Sequence, residues 1–161
     1  MSNSFDIVSK VDLNEINNAI NMAVKELNTR FDLKGSSSEI KMEDGEIVLI
    51  SADDFKLKAV KEILEQKLVK RSIPMKALQY GKIEDAFSGN VRQHIKLQEG
   101  IPTEKAKDIV KIVKRSGIKV QVAIQGDSLR VSGKKKDDLQ ETINLIKEKV
   151  TDIHLQFTNY R

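Results

Sequence analysis

KVQVAIQGDSLRVS, Lys119–Ser132, is the stretch that decides the fold. Apolar and polar residues alternate from Lys119 to Gln125, Gly126 and Asp127 turn the chain, and Leu129 and Val131 resume the alternation up to Ser132. Period-two patterning on both sides of a turn pair describes a β-hairpin with one buried face and one wet face. Upstream, Pro102 suits the first turn of a helix, Ala106, Ile109, Val110 and Val113 form its apolar stripe, and Gly117 stops it. Before that helix Val91–Leu97 alternates as a strand. Downstream, Leu139, Ile143, Ile146 and Val150 mark a second helix, and Leu155–Thr158 reads as a last strand. The order is β-α-β-β-α-β.

The first half repeats that order. Ser4–Ser9 reads as a strand. Asp12, with Glu15 three places on, opens a helix as a capping box, with Ile16, Ile20, Ala23, Leu27 and Phe31 along one face. Gly35 and Ser36–Ser38 break it. Glu39–Met42 and Glu46–Ile50 form a hairpin through Asp44-Gly45. Ser51–Asp54 caps a helix with a stripe of Phe55, Ala59, Ile63, Leu64 and Leu68, and Met75–Tyr80 supplies a fourth strand. The fold class is therefore α+β: two ferredoxin-like (βαββαβ) domains, each a four-stranded antiparallel sheet with two helices on one face. The expected boundaries are residues 1–82 and 90–161, joined by a connector over 81–90. The strand within residues 1–10 can pair in either domain.

Composition bounds the chemistry. There is no cysteine, which removes disulfides, thiolate zinc and iron–sulfur clusters, and only two histidines, too few for a histidine-rich metal site. No apolar run reaches the roughly 20 residues of a membrane helix, and the first ten residues lack a signal-peptide pattern, so a cytoplasmic protein is expected. Charge is uneven. Residues 1–85 hold 13 Lys+Arg and 15 Asp+Glu, and residues 86–161 hold 15 and 9, or −2 against +6. A basic half beside a mildly acidic one points to an anionic partner for the second domain.

Alternation assigns faces. Val91–Leu97 and the Lys119–Ser132 hairpin are expected to share the second domain's sheet, whose open face then gathers Arg92, His94, Lys96, Lys119, Gln121, Gln125 and Arg130, with no acidic residue among them. Guanidinium and ammonium groups suit phosphate, and glutamine can read base edges. Lys134, in the run Lys134–Lys136 where a helix begins, joins this candidate site. A bound anion there would offset the unfavourable placement of lysine at a helix start; alternatively Asp137 and Asp138 neutralise the lysines. Gly126 and Gly133 are spaced wrongly for a P-loop. The open face carries no aromatic residue, so phosphate contacts are expected over base stacking.

No catalytic set is visible: there is no Cys nucleophile, no Gly-x-Ser-x-Gly and no His-Glu-x-x-His. A non-catalytic binding protein is expected, without metal or cofactor, and with a nucleotide, cyclic dinucleotide or RNA as partner. In Ile47–Ile50 both phases are apolar, so that strand should be covered on both faces, which admits a homo-oligomer or protein partner through the first domain. Lys34-Gly35 with Ser36–Ser38 admits an anion-binding loop or a plain flexible one.

Several motifs extend the reading: FDIVS (Phe5–Ser9), RFDLKG (Arg30–Gly35), DDFKL (Asp53–Leu57), KLVKR (Lys67–Arg71), YGKIE (Tyr80–Glu84), RQHIKL (Arg92–Leu97), KVQVAIQGD (Lys119–Asp127) and RVSGKKKDDLQ (Arg130–Gln140). Together they resemble the YajQ family of bacterial nucleotide-binding proteins, over nearly the whole chain. The resemblance implies two ferredoxin-like domains related to RNA-binding folds, nucleotide or nucleic-acid binding, cyclic di-GMP binding in some members, and no established enzymatic activity. Where the family often has Phe-Asp-Phe, this chain has Leu33, which removes one possible stacking residue.

Overall fold

The computed structural model describes residues 2–161. Its elements are β1 (Asn3–Val8), α1 (Leu13–Thr29), β2 (Glu39–Glu43), β3 (Glu46–Ser51), α2 (Asp54–Lys70), β4 (Leu78–Tyr80), β5 (Glu84–Asp85), β6 (Val91–Leu97), α3 (Thr103–Ser116), β7 (Gln121–Gln125), β8 (Ser128–Gly133), α4 (Lys136–Lys149) and β9 (Gln156–Thr158). They form two compact units. The inner unit is Val11–Gln98, and the outer unit joins residues 2–10 to Glu99–Arg161. Inner and outer refer to position along the chain.

Each unit has the ferredoxin-like strand order. In the inner unit it is β2-β3-β6-β4, with the short β5 also paired to β6; in the outer unit it is β7-β8-β1-β9. All of these pairs are antiparallel. The expected boundaries at 1–82 and 90–161 are corrected here. Val91–Leu97 belongs to the sheet of the first half, and β1 to that of the second. The physical reason lies in the connector. Residues 81–90 are not a linker but the turn region that folds β6 back along β4 and β5, so a short local closure captures β6 before any distant sheet can. The outer sheet then receives β1, whose Phe5 and Ile7 stand opposite Val131 and Leu129 of β8.

Helices α1 and α2 cover one face of the inner sheet, burying Ile40, Ile47, Leu49 and Ile95 against Ile16, Ile20, Leu57, Ile63 and Leu64. In the outer unit, α3 and α4 bury Phe5, Ile7, Leu129 and Val131 against Ile109, Val113, Leu139 and Ile143. At roughly 1.5–3 kcal/mol per large apolar side chain, these two clusters are the main favourable term in each unit. The stop of α3 is as read: Gly117 caps it at φ +76°, a left-handed conformation that costs glycine least. Asp12 caps α1 by accepting from the Asn14 N–H, but Glu15 completes no capping box; its carboxylate instead holds Arg71, with Nε–Oε2 2.7 Å and Nη2–Oε1 2.9 Å.

The stripe of α2 is also corrected. Phe55 faces solvent, and the buried residues are Leu57, Val60, Ile63, Leu64 and Leu68. Asp53 is the cap, accepting from the Lys56 N–H at 2.7 Å, and a helix begun there turns position 55 outward. On β3, Ile47 and Leu49 enter the core while Val48, 1% exposed, is buried on the opposite face. Met75–Ala77 forms a one-turn 3-10 helix, leaving only Leu78–Tyr80 of the expected fourth strand. No helix among the described residues is long and apolar enough to cross a membrane.

Candidate nucleotide-binding site

The proposed cation face divides between the two sheets. Arg92, His94 and Lys96 lie on β6 of the inner unit; Lys119, Gln121, Gln125, Arg130 and Lys134 lie in the outer unit. The single-sheet site is thus corrected for the same reason as the boundaries.

On the inner sheet the open face is mixed in charge. Registers Val48↔His94 and Ile50↔Arg92 put Arg92 and His94 beside Glu46, Val48 and Ile50 of β3. Arg92 Nε donates to Glu84 Oε1 at 2.9 Å. The two ring nitrogens of His94 face carboxylates on either side, Nδ1 at 3.2 Å from Glu46 and Nε2 at 3.4 Å from Glu84. Arg92 and His94 are therefore engaged by the protein's own acids, and only Lys96 projects from this strand as an exposed cation.

On the outer sheet the open face carries Gln121 and Gln125 of β7, Ser128, Arg130 and Ser132 of β8, and Ser4 and Asp6 of β1. The expected absence of acid fails here too, because β1 brings Asp6 directly opposite Arg130. Arg130 Nε donates to Asp6 Oδ1 at 2.8 Å, and Asn159 Nδ2 donates to Asp6 Oδ2 at 2.9 Å. The hydrogen bonds from Arg130 and then Asn159 outweigh burial and hold the Asp6 carboxyl below its usual range. Arg130 is thus a structural partner before it is a ligand contact.

Among the described residues, Lys119, Gln121 and Lys134 carry no such pairing and meet at one end of this sheet, while Gln125 lies at the other end, beside the turn. Lys119 and Lys134 each lie two residues beyond the Gln121↔Ser132 pair that ends the β7–β8 ladder. Lys119, Gln121, Ser132, Gly133, Lys134 and Lys135 line a cleft of about 520 Å³, with Ser2 and Asp138 completing its wall. Gly133 keeps the floor low: a Cβ there would stand 3.1 Å from Val120 Cγ1 and 3.3 Å from the Lys119 carbonyl oxygen. The helix α4 opens beside it, with Lys135 as the residue before its first turn and no side-chain cap on its amides. Lys134 is held from behind, its carbonyl accepting from Asn3 Nδ2 at 3.1 Å. The arrangement offers three ammonium groups and uncapped N–H donors, which is the chemistry of phosphate retention.

Sequence reasoning missed Asp6, Glu46 and Glu84. Asp6 was legible in principle, because it alternates with Phe5 and Ile7, but only once β1 is placed in the outer sheet. Glu84 lay in the supposed connector.

Residues 3–161 match the family described as nucleotide-binding protein YajQ-like. A nucleotide-binding protein of Koribacter versatilis is 59% identical over 159 residues, covering 99% of this chain and 97% of that one. Those of Trichlorobacter lovleyi and Heliobacterium modesticaldum are 54% and 56% identical over 158 residues, covering 98% of this chain and 98% and 96% of theirs. Matched end to end at this identity, the chain belongs to the YajQ-like family of nucleotide-binding proteins.

Proposed function

We propose that this protein holds a nucleotide by its phosphates, without catalysis, in the outer-unit cleft of Lys119, Lys134 and Lys135. The observation that carries the reading is the convergence of those three lysines on one cleft while Arg92, His94 and Arg130 are bound to carboxylates. Gln121 and Ser132, lining the same cleft, supply hydrogen bonds to a sugar or base edge. The relatives' description as nucleotide-binding proteins supports the ligand class. The phosphate-bearing ligand is to be sought among mononucleotides, cyclic dinucleotides including cyclic di-GMP, and short RNA.

Titration of such a panel at two salt concentrations tests this. Affinity is expected to fall as salt rises. The Lys119→Ala/Lys134→Ala double variant is expected to lose at least about tenfold, since a charge-assisted contact contributes about 1.5–3 kcal/mol. Both lysines are exposed, so the variant keeps its fold. Unchanged affinity would refute the assignment.

A second reading has its own observation. Phe55 and Phe87, both in the inner unit, are 84% and 89% exposed, and each offers an apolar side chain to a protein partner. Sedimentation across a wide concentration range is expected to show self-association that Phe55→Ser/Phe87→Ser removes. A strict monomer throughout would exclude the self-association form of this reading.

A further inference from the structure

The residues between α1 and β2 make a second cleft, in the inner unit, that the phosphate-binding reading does not use. It measures about 420 Å³ and is lined by Leu27, Asn28, Thr29, Arg30, Phe31, Leu33, Lys34, Gly35, Ser37 and Ser38. Two cations line it and no carboxylate does. Phe31 stands at its rim, 87% exposed.

That exposure is built rather than left over. Phe31 opens a one-turn 3-10 helix whose third residue, Leu33, is only 5% exposed and joins the inner core. Position 33 thus points inward, and the leucine found there is a packing residue; the aromatic face on offer is that of Phe31. Either side of it the backbone is pinned. Arg30 donates to both oxygens of Asp32 at 2.8 Å. The Lys34 N–H donates to the Phe31 carbonyl at 3.2 Å, and the Ser36 N–H to the Leu33 carbonyl at 3.1 Å. The buried Ser36 hydroxyl also donates to the Leu33 carbonyl and meets the Ser38 hydroxyl, which in turn meets that of Ser51 at 2.9 Å. A phenyl ring on a floppy loop would fold back onto the apolar surface; this one is held away from it.

Beyond the ring, Gly35 (φ +76°) and Ser37 (φ +56°) adopt the left-handed conformation, and their N–H groups have no acceptor among the described residues. Lys34 lines the cleft beside them. An aromatic face, an ammonium group and free backbone donors around one carboxylate-free cleft match a flat ring joined to a phosphate.

We infer that the 30–38 loop is a second nucleotide site, in which Phe31 stacks the base and Lys34 with the Gly35 and Ser37 amides holds the phosphate. The inference rests on the nucleotide-binding reading above and adds to it a base-stacking aromatic face that the outer cleft lacks.

The test is backbone amide chemical-shift mapping on the full chain, with GMP, AMP and ribose 5-phosphate as probes. GMP or AMP is expected to shift residues 27–38, and to go on doing so in the Lys119→Ala/Lys134→Ala variant. Ribose 5-phosphate, which has no base, should bind this loop at least tenfold more weakly. Phe31→Ser should weaken the base-bearing probes to the level of ribose 5-phosphate, while Phe31→Trp retains them; Phe31 is exposed, so neither change disturbs the core. Shifts confined to 119–138 would overturn the inference and leave the outer cleft standing. Equal affinity of Phe31→Ser and the parent would overturn the stacking role. Absence of shifts anywhere would overturn the inference as well.

Discussion

Asp6 shows how much one residue on an open sheet face can decide. It is 8% exposed and bound by Arg130 and Asn159, so its removal leaves a guanidinium without its acceptor. Asp6→Ala is expected to cost about 1–3 kcal/mol, read as a lowered urea midpoint at neutral pH. The pH dependence has a definite direction. Asp6 ionises more readily folded than unfolded, so the unfolded chain binds the proton more tightly. Its stabilisation is complete above the ordinary carboxylate value near about pH 4 and is lost as pH falls through the lower folded value. Asp6→Asn should flatten the acid limb of the stability profile; an acid limb identical to that of the parent would show that other carboxylates govern it. The same residue marks what was legible at this scale. Alternation put Lys119 and Gln121 on one open face, because a period of two assigns faces within a hairpin, and Lys134 was singled out by its place where a helix begins. Arg92 and His94 were misassigned because alternation is silent about which sheet a strand joins.

At the scale of elements, α2 separates two kinds of apolar residue that look alike in sequence. Phe55 and Leu57 both lie in its first turns, yet only Leu57 enters the core. Leu57→Ala is expected to destabilise by about 2–5 kcal/mol, and Phe55→Ala by no more than about 0.5 kcal/mol, both measurable by thermal or denaturant unfolding. Comparable losses at the two positions would place the helix in the other register. The stripe was misread because Phe55, Ala59 and Ile63 are also spaced by four. Only the cap at Asp53, which sets where the first turn starts, breaks that tie. Hairpins were easier: Asp44-Gly45 and Gly126-Asp127 fix their own registers through the turn, and β2–β3 and β7–β8 pair as the sequence implies.

For the molecule as a whole, the class of fold was readable and its partition was not. Counted by unit, the inner one holds 14 Lys+Arg and 14 Asp+Glu and the outer one 14 and 10, so the basic excess of +4 lies entirely in the outer unit. The capture of β6 by the first half follows from connection length, a quantity no periodicity reports, while β1, which alternation leaves open to either domain, enters the outer sheet. A fragment of residues 11–98 contains α1, α2 and every strand of the inner sheet. It is expected to fold and unfold cooperatively by circular dichroism, whereas residues 1–82 lack β6, the strand between β3 and β4, and should remain largely unfolded. A folded 1–82 fragment would count against β6 as a necessary part of that sheet.

The exchanged strand also sets an order of events on the ribosome. β1 is translated first, but its neighbours β8 and β9 emerge more than 100 residues later, and the backbone of Arg161 bonds in both directions to Ser4. At about 5–20 residues per second, Phe5 and Ile7 wait roughly 6–25 s without a sheet to enter, while the inner unit can complete itself. During that interval the nascent chain trails an unpaired apolar strand. Trigger-type chaperones that shield such segments should therefore matter more to the yield of this small protein than its size alone would imply.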